Sequence, residues 1–267
     1  MPPIRVGCAG YSYEDWVGPF YPQSSVKGDR LSEYARHFSL VELNFSYYAM
    51  PRREQLGAMA EKVPAEFLFV IKAHGSLTHE RTADWEARAT EFSSAITGLG
   101  EKLGGVLLQF PFSFHYTREN RRYLAALTEE LRNRCSGAGA KGAELFVEFR
   151  NREWERPSVL EGMARRRLHR VLVDAPTLPE LPHSINGTEA LPTNLLYLRL
   201  HGRNRENWWS GTNVTRYAYN YSAPELREIS DRLDRLSAAE LFVIFNNHAN
   251  ARAPLNALEL LKLVEVE

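Results

Sequence analysis

A set of polar side chains in this chain closes, or directly follows, short apolar runs. The carboxylates are Glu42, Glu148 and Asp174; the cations are Lys72, Arg150 and Arg199. The imidazoles His74 and His201 and the amides Asn44, Gln109 and Asn246 take similar places. Lysine and arginine brought together suit a phosphate or carboxylate. A carboxylate among them serves as a general base, its pKa set by burial and by the neighbouring cations. Glu148 or Asp174 is read as that base and His201 as the partner acid, with Glu42 and Lys72 completing the catalytic set. Arg150, Arg199, Asn44, Gln109, Asn246 and His79 are read as substrate contacts. Tyr13, Trp16 and Tyr48 join them as a stacking surface for a sugar or base.

Each of these readings has a plainer competitor. The charges can form a structural layer in which they only satisfy one another. The aromatics can pack long loops onto a rim. Cys8 lies inside an apolar run and reads as core rather than as a nucleophile.

The runs that must position this set recur along the chain and are rich in β-branched and aromatic residues. They are Ile4–Ala9, Leu40–Phe45, Phe67–Ala73, Val106–Phe110, Leu145–Phe149, Arg170–Asp174, Leu195–His201 and Leu241–Asn246. Each has the length and composition of a strand. Between them lie stretches of helical period near 30–38, 52–62, 84–102, 117–134, 157–168, 222–236 and 252–264. Asp84 and Thr117 are placed as N-caps, and Ser222 with Glu225 has capping-box spacing. Residues 175–194 hold Pro176, Pro179 and Pro182, so the helix after strand six is expected to be missing or irregular. Alternating strands and helices give a parallel sheet, and eight units give a (β/α)8 barrel spanning 1–267 as one domain.

Side chains alternate along a strand. In every run but the first, the polar residue near the C-terminal end is opposite in parity to the apolar set. Turning it toward the helices would bury charge against apolar surface, so the whole set is assigned to the barrel axis. Polar residues at that end of a barrel read as catalytic, and the strand-to-helix loops surround them. Those loops are long at 10–29, 74–83, 175–194 and 202–221; Gly137–Gly142 reads as a surface loop.

The 267 residues carry 33 Lys and Arg against 33 Asp and Glu, a net charge of zero. That balance argues against bulk electrostatic binding to extended nucleic acid or an anionic membrane, though not against a local basic patch. Two cysteines form neither a disulfide framework nor a zinc motif. No apolar leader or membrane span is evident, so the expected compartment is the cytoplasm and the sequons at Asn186 and Asn213 need no glycan.

These segments resemble the YecE-like family, domain of unknown function 72. The resemblance runs almost end to end. It rests on Val6-Gly-Cys-Ala-Gly-Tyr-Ser-Tyr-Glu-Asp-Trp16, Gly18-Pro-Phe-Tyr-Pro22, Val41-Glu-Leu-Asn44 with Tyr48 and Pro51, and Phe69-Val-Ile-Lys-Ala73 with Thr78-His79. It continues through Leu107-Leu-Gln-Phe-Pro111, Val147-Glu-Phe-Arg150 with Trp154, Val173-Asp174, Leu198-Arg-Leu-His-Gly202 and Phe245-Asn-Asn247 with Asn256-Ala257. Departures are Tyr11 where a Trp is common, Trp208-Trp209 where a Tyr is expected, and no Gly in the loop after Asn247. The resemblance implies a (β/α)8 barrel and no settled activity.

Three functions follow as expectations. The first is a hydrolase or lyase acting on an anionic small molecule, without a metal or weakly assisted by one. The second is a divalent-metal isomerase or endonuclease-like barrel, with Glu148, Asp174 and His201 as an O,O,N set and Glu42 as a further ligand. Lys72, Arg150 and Arg199 oppose it by repelling a cation, and no His-Glu-x-x-His motif occurs. The third is a non-catalytic module that binds a nucleotide, RNA or protein. Cofactor and oligomeric state stay open, with a divalent metal the one cofactor considered.

Overall fold

Eight runs of the expected kind form strands: β1 Ile4–Ala9, β2 Leu40–Leu43, β3 Leu68–Lys72, β4 Leu103–Gln109, β5 Leu145–Glu148, β6 Leu168–Asp174, β7 Leu195–Leu200 and β8 Glu240–Phe245. The structure, a computed structural model, describes residues 3–137, 143–182, 194–236 and 238–264. The strands follow one another in chain order as a closed barrel, with parallel neighbours. Helices alternate with them, as in a (β/α)8 fold, except that none is described between β6 and β7. They are α1 Arg30–Tyr34, α2 Phe45–Tyr48, α3 Arg53–Ala60, α4 Gly75–Thr78, α5 Trp85–Ile96, α6 Arg118–Gly137, α7 Pro157–Arg165, α8 Asn213–Arg216, α9 Ala223–Asp234 and α10 Arg252–Val264.

Several boundaries differ from the sequence expectation. Strand β2 stops at Leu43, because Asn44 turns to helical backbone and Ser46 Oγ donates to Leu43 O at 3.1 Å and Lys72 O at 2.6 Å. Strand β4 starts at Leu103, ahead of Val106, through two glycines that argue against a strand when read alone. The helix expected over 157–168 ends at Arg165, and Leu168 already opens β6. Residues 175–182 form no helix. The rest of the expected proline-rich loop (183–193), Asn186 and residues 138–142 lie outside the described residues.

The chain divides into two compact units: Glu42–Arg170, and Met1–Val41 with Val171–Glu267. In the first, β3, β4 and β5 run side by side. Gly105 has a φ of +156°, and a Cβ there meets the Phe146 ring at 2.5 Å and Glu144 O at 2.6 Å. A side chain does not fit where β4 passes β5. Helix α6 buries Leu124, Leu127, Leu131 and Cys135 along one stripe, a three-to-four-residue spacing. Its start is capped as expected, Asn120 N donating to Thr117 Oγ1 at 3.1 Å.

In the second unit, β7 pairs with β8 and β8 with β1. The Ser222–Glu225 capping box opens α9. Helix α9 buries Leu226, Ile229 and Leu233.

Candidate active site

In the unit Glu42–Arg170, strand register settles which polar residues share a face. Lys72 pairs with Leu107, and Gln109 with Glu148. Leu107 and Gln109 are two residues apart, so Lys72, Gln109 and Glu148 project from one face of three adjacent strands. Lys72 Nζ donates to Gln109 Oε1 at 2.9 Å, and Gln109 Nε2 donates to Phe110 O at 2.9 Å. Glu148 is wholly buried and accepts a hydrogen bond from Arg150 Nε.

Short helical turns after the strands supply the surrounding groups. Helix α2 sets Tyr47 against Lys72, whose Nζ lies 4.2 Å from the ring centroid. His79, which ends α4, meets the same ring edge-on at 4.8 Å. Burial and the Lys72 and Arg150 charges push the His79 imidazole down to about 4, against the pull of Glu148. Around neutral pH the His79 imidazole beside Lys72, Arg150 and Glu148 is therefore neutral.

Glu42 is fully buried at the end of β2. Asn44 follows it, its Oδ1 buried with no hydrogen-bond partner among the described residues. Tyr48 is largely exposed beside Tyr47. His74 caps α4, its Nδ1 accepting from Ser76 N at 3.2 Å.

In the second unit the expected polar set divides between two faces. Arg199 pairs with Val173, whereas Asp174 pairs with Leu200. Asp174 and Arg199 thus point to opposite sides of the sheet, which corrects the assignment of both to the axis. The physical reason is a counter-ion that strand parity does not reveal. Arg203 grips Asp174 through three contacts of 2.8–3.1 Å, and Tyr221 OH donates to Asp174 Oδ1 at 2.9 Å. The Arg203 guanidinium also reaches Glu225 at 3.4 Å and Glu228 at 3.2 Å on α9. A polar cavity of about 280 Å³, lined by Asp174, Arg203, Arg205, Glu228 and Arg232 among others, lies on this side.

His201 is fully buried, with Asn246 Nδ2 3.0 Å from its Nδ1. His201 and Asn246 continue the parity of Arg199 and Ile244, so they fall on the face away from Asp174. Asp174 and His201 consequently do not converge as a ligand pair. Among the described residues, no group of three or more His, Cys, Asp or Glu is arranged to hold a metal ion.

Trp16 is fully buried, its Nε1 donating to His248 O at 2.8 Å. Tyr13 stacks on His248 at 4.8 Å and donates to Ala9 O. Tyr221 and Tyr47 were not singled out by the sequence as site residues. Tyr221 is 47 residues from Asp174 and carries no signal beyond preceding an N-cap. Tyr47 was legible only as one of two aromatics after the second strand.

The model of the family described as "Protein of unknown function DUF72" matches residues 5–267. The chain belongs to the DUF72 family. It is 29% identical to the UPF0759 protein YunF of Bacillus subtilis, over 99% of this chain and 95% of that one. It is 28% identical to YecE of Escherichia coli K12, over 68% of this chain and 63% of that one. A DUF72 crystal structure from Thermotoga maritima superposes with a TM-score of 0.85 at 34% identity, covering 98% of this chain and 99% of that one. SacUVDE superposes at 0.61 with 7% identity over 100% and 99% of the two chains, a likeness of fold alone.

The DUF72 chain contains no described helix long and apolar enough to cross a membrane.

Proposed function

We propose that this DUF72 protein is a cytoplasmic enzyme acting on a small molecule that bears a phosphate or carboxylate. The site is at the C-terminal ends of β3, β4 and β5. One observation carries the reading: Lys72 and Arg150 accompany a wholly buried carboxylate, Glu148, beside an imidazole held neutral. Burying a carboxylate costs several kcal/mol unless it is paired and hydrogen-bonded. Lysine and arginine side by side also suit the oxygens of a phosphate or carboxylate.

The roles follow from the chemistry of each group. Lys72 supplies a mobile point charge and Arg150 a planar fork, which together hold the anionic end of the substrate. Glu148 is the proton acceptor, either from water in a hydrolysis or from a substrate carbon in an elimination. Gln109 keeps the Lys72 ammonium in place. Asp174, gripped by Arg203 and Tyr221, is assigned to structure rather than to proton transfer. Glu42, Asn44 and Tyr48, in the same unit, are retained as candidate contacts.

A panel of sugar phosphates, nucleotides, phosphodiesters and carboxylates tests the reading. Turnover of one class, lost at least about a hundredfold in Glu148→Gln with binding retained, supports it. Binding without turnover in both proteins supports a non-catalytic module. Neither binding nor turnover across the panel overturns the anion reading.

A further inference from the structure

Thr78 is wholly buried, and its hydroxyl makes one hydrogen bond among the described residues, to His79 Nδ1 at 3.0 Å. A hydroxyl brings one hydrogen and two acceptor lone pairs. If His79 carried its proton on Nδ1, the Thr78 oxygen would accept it, and the hydroxyl hydrogen would be left buried without an acceptor. An unsatisfied buried donor costs about 1–3 kcal/mol. If the hydroxyl donates to Nδ1 instead, its hydrogen and Nδ1 are both satisfied, and the imidazole proton sits on Nε2 of the half-buried ring. The second arrangement is therefore favoured about 5- to 150-fold.

The placement of the ring adds a second argument. His79 and the Lys72 ammonium contact one Tyr47 ring, the imidazole edge-on at 4.8 Å and Nζ at 4.2 Å over the face. The charged and titratable groups around the ring are Lys72, Arg150, Glu148 and Tyr47, with exposed Glu80 next in the chain. A third cation beside Lys72 and Arg150 is disfavoured there, whereas a neutral N–H donor is not.

We infer that Thr78 is a positioning residue: its hydroxyl locks His79 as a neutral imidazole protonated on Nε2, a hydrogen-bond donor to an oxygen of the bound anion. The last clause rests on the anion reading above; the tautomer does not. A neutral imidazole donor polarises a carbonyl or phosphoryl oxygen without giving up a proton to water at neutral pH. This narrows the substrate to one whose anionic oxygen lies next to Lys72 and accepts a third, uncharged donor.

The experiment is long-range proton–nitrogen correlation NMR on the full chain with nitrogen-15 histidine. His79 is assigned by its loss in His79→Gln. The expected spectrum shows His79 with unprotonated Nδ1 and protonated Nε2 around neutral pH. Thr78→Val gives a mixture of tautomers, and Thr78→Ser restores the single form. A proton on Nδ1 in the unmodified protein, or an unchanged tautomer in Thr78→Val, overturns the inference. If the valine variant does not fold, Thr78→Ala carries the same comparison. Inorganic phosphate is then titrated in. It is expected to move the Nε2–H resonance, with an affinity about two- to tenfold weaker in Thr78→Val. A locked tautomer with no phosphate response overturns the anion reading and upholds the Thr78–His79 coupling.

Discussion

Asp174, the last residue of β6, and Arg199, the last but one of β7, lie one register step apart and face opposite sides of the sheet. Asp174 is thereby given to Arg203 and Tyr221, and the network continues to Glu225 and Glu228 on α9. Arg199, buried on the other face, shares its parity with His201 and Asn246. This relationship separates Asp174, held by Arg203 and Tyr221, from Arg199 on the other face.

Removing the Asp174 charge should therefore cost stability. Asp174→Asn leaves the Arg203 guanidinium partly buried without its main counter-ion. We expect a loss of about 3 kcal/mol in urea unfolding. Tyr221→Phe removes one hydrogen bond to the same carboxylate and should cost about 1 kcal/mol. An Asp174→Asn protein as stable as the unmodified chain would contradict the structural assignment.

Gly105→Ala is expected to destabilise by about 1–3 kcal/mol, because the added methyl meets backbone at Glu144 and the Phe146 ring. The comparison is Gly28→Ala, where nothing lies within 4 Å of the added Cβ. Chemical unfolding of the two variants reads the difference directly.

His79 makes stability depend on pH with a definite sign. Its folded pKa is about 4, below the ordinary 6.5. Between those values the unfolded chain takes up a proton that the folded chain resists. The contribution is present above about pH 6.5 and is lost as pH falls toward 4. His248, also lowered by burial, acts in the same direction. His79→Gln should flatten part of the slope in unfolding free energy between about pH 7 and pH 5. An identical slope in the variant would count against a buried neutral imidazole.

The helix caps were legible and can be checked in the same way. Ser222→Ala breaks a reciprocal box, in which Glu225 Oε2 accepts from Ser222 N at 2.8 Å. A loss of about 1 kcal/mol is expected.

The barrel was readable because eight β-rich runs alternate with helical stretches, a pattern carried by local periodicity. Lys72, Gln109 and Glu148 were readable as one group because a two-residue repeat fixes which residues of a strand share a face. The repeat does not say which face that is. Asp174 shows the consequence: its side is decided by register with β7 and by Arg203, a residue beyond the next strand. The turns at Phe45–Tyr48 and Gly75–Thr78 were not readable either. Four residues hold little helical period, yet they place Tyr47 and His79 against Lys72. Thr78 was visible only as part of a motif, since its role depends on the neighbouring ring being its one side-chain partner among the described residues.

The central claim is that Lys72 and Arg150 hold an anion beside Glu148. Calorimetric titration of the best anion from the panel into Lys72→Met and Arg150→Met tests it most directly. Arg205→Ala, an exposed change in the other unit, serves as the control. Each cluster variant is predicted to bind about 10- to 150-fold more weakly, the loss of one charge-assisted hydrogen bond, while the control binds as the unmodified protein does. Unchanged affinity in both cluster variants would contradict the account.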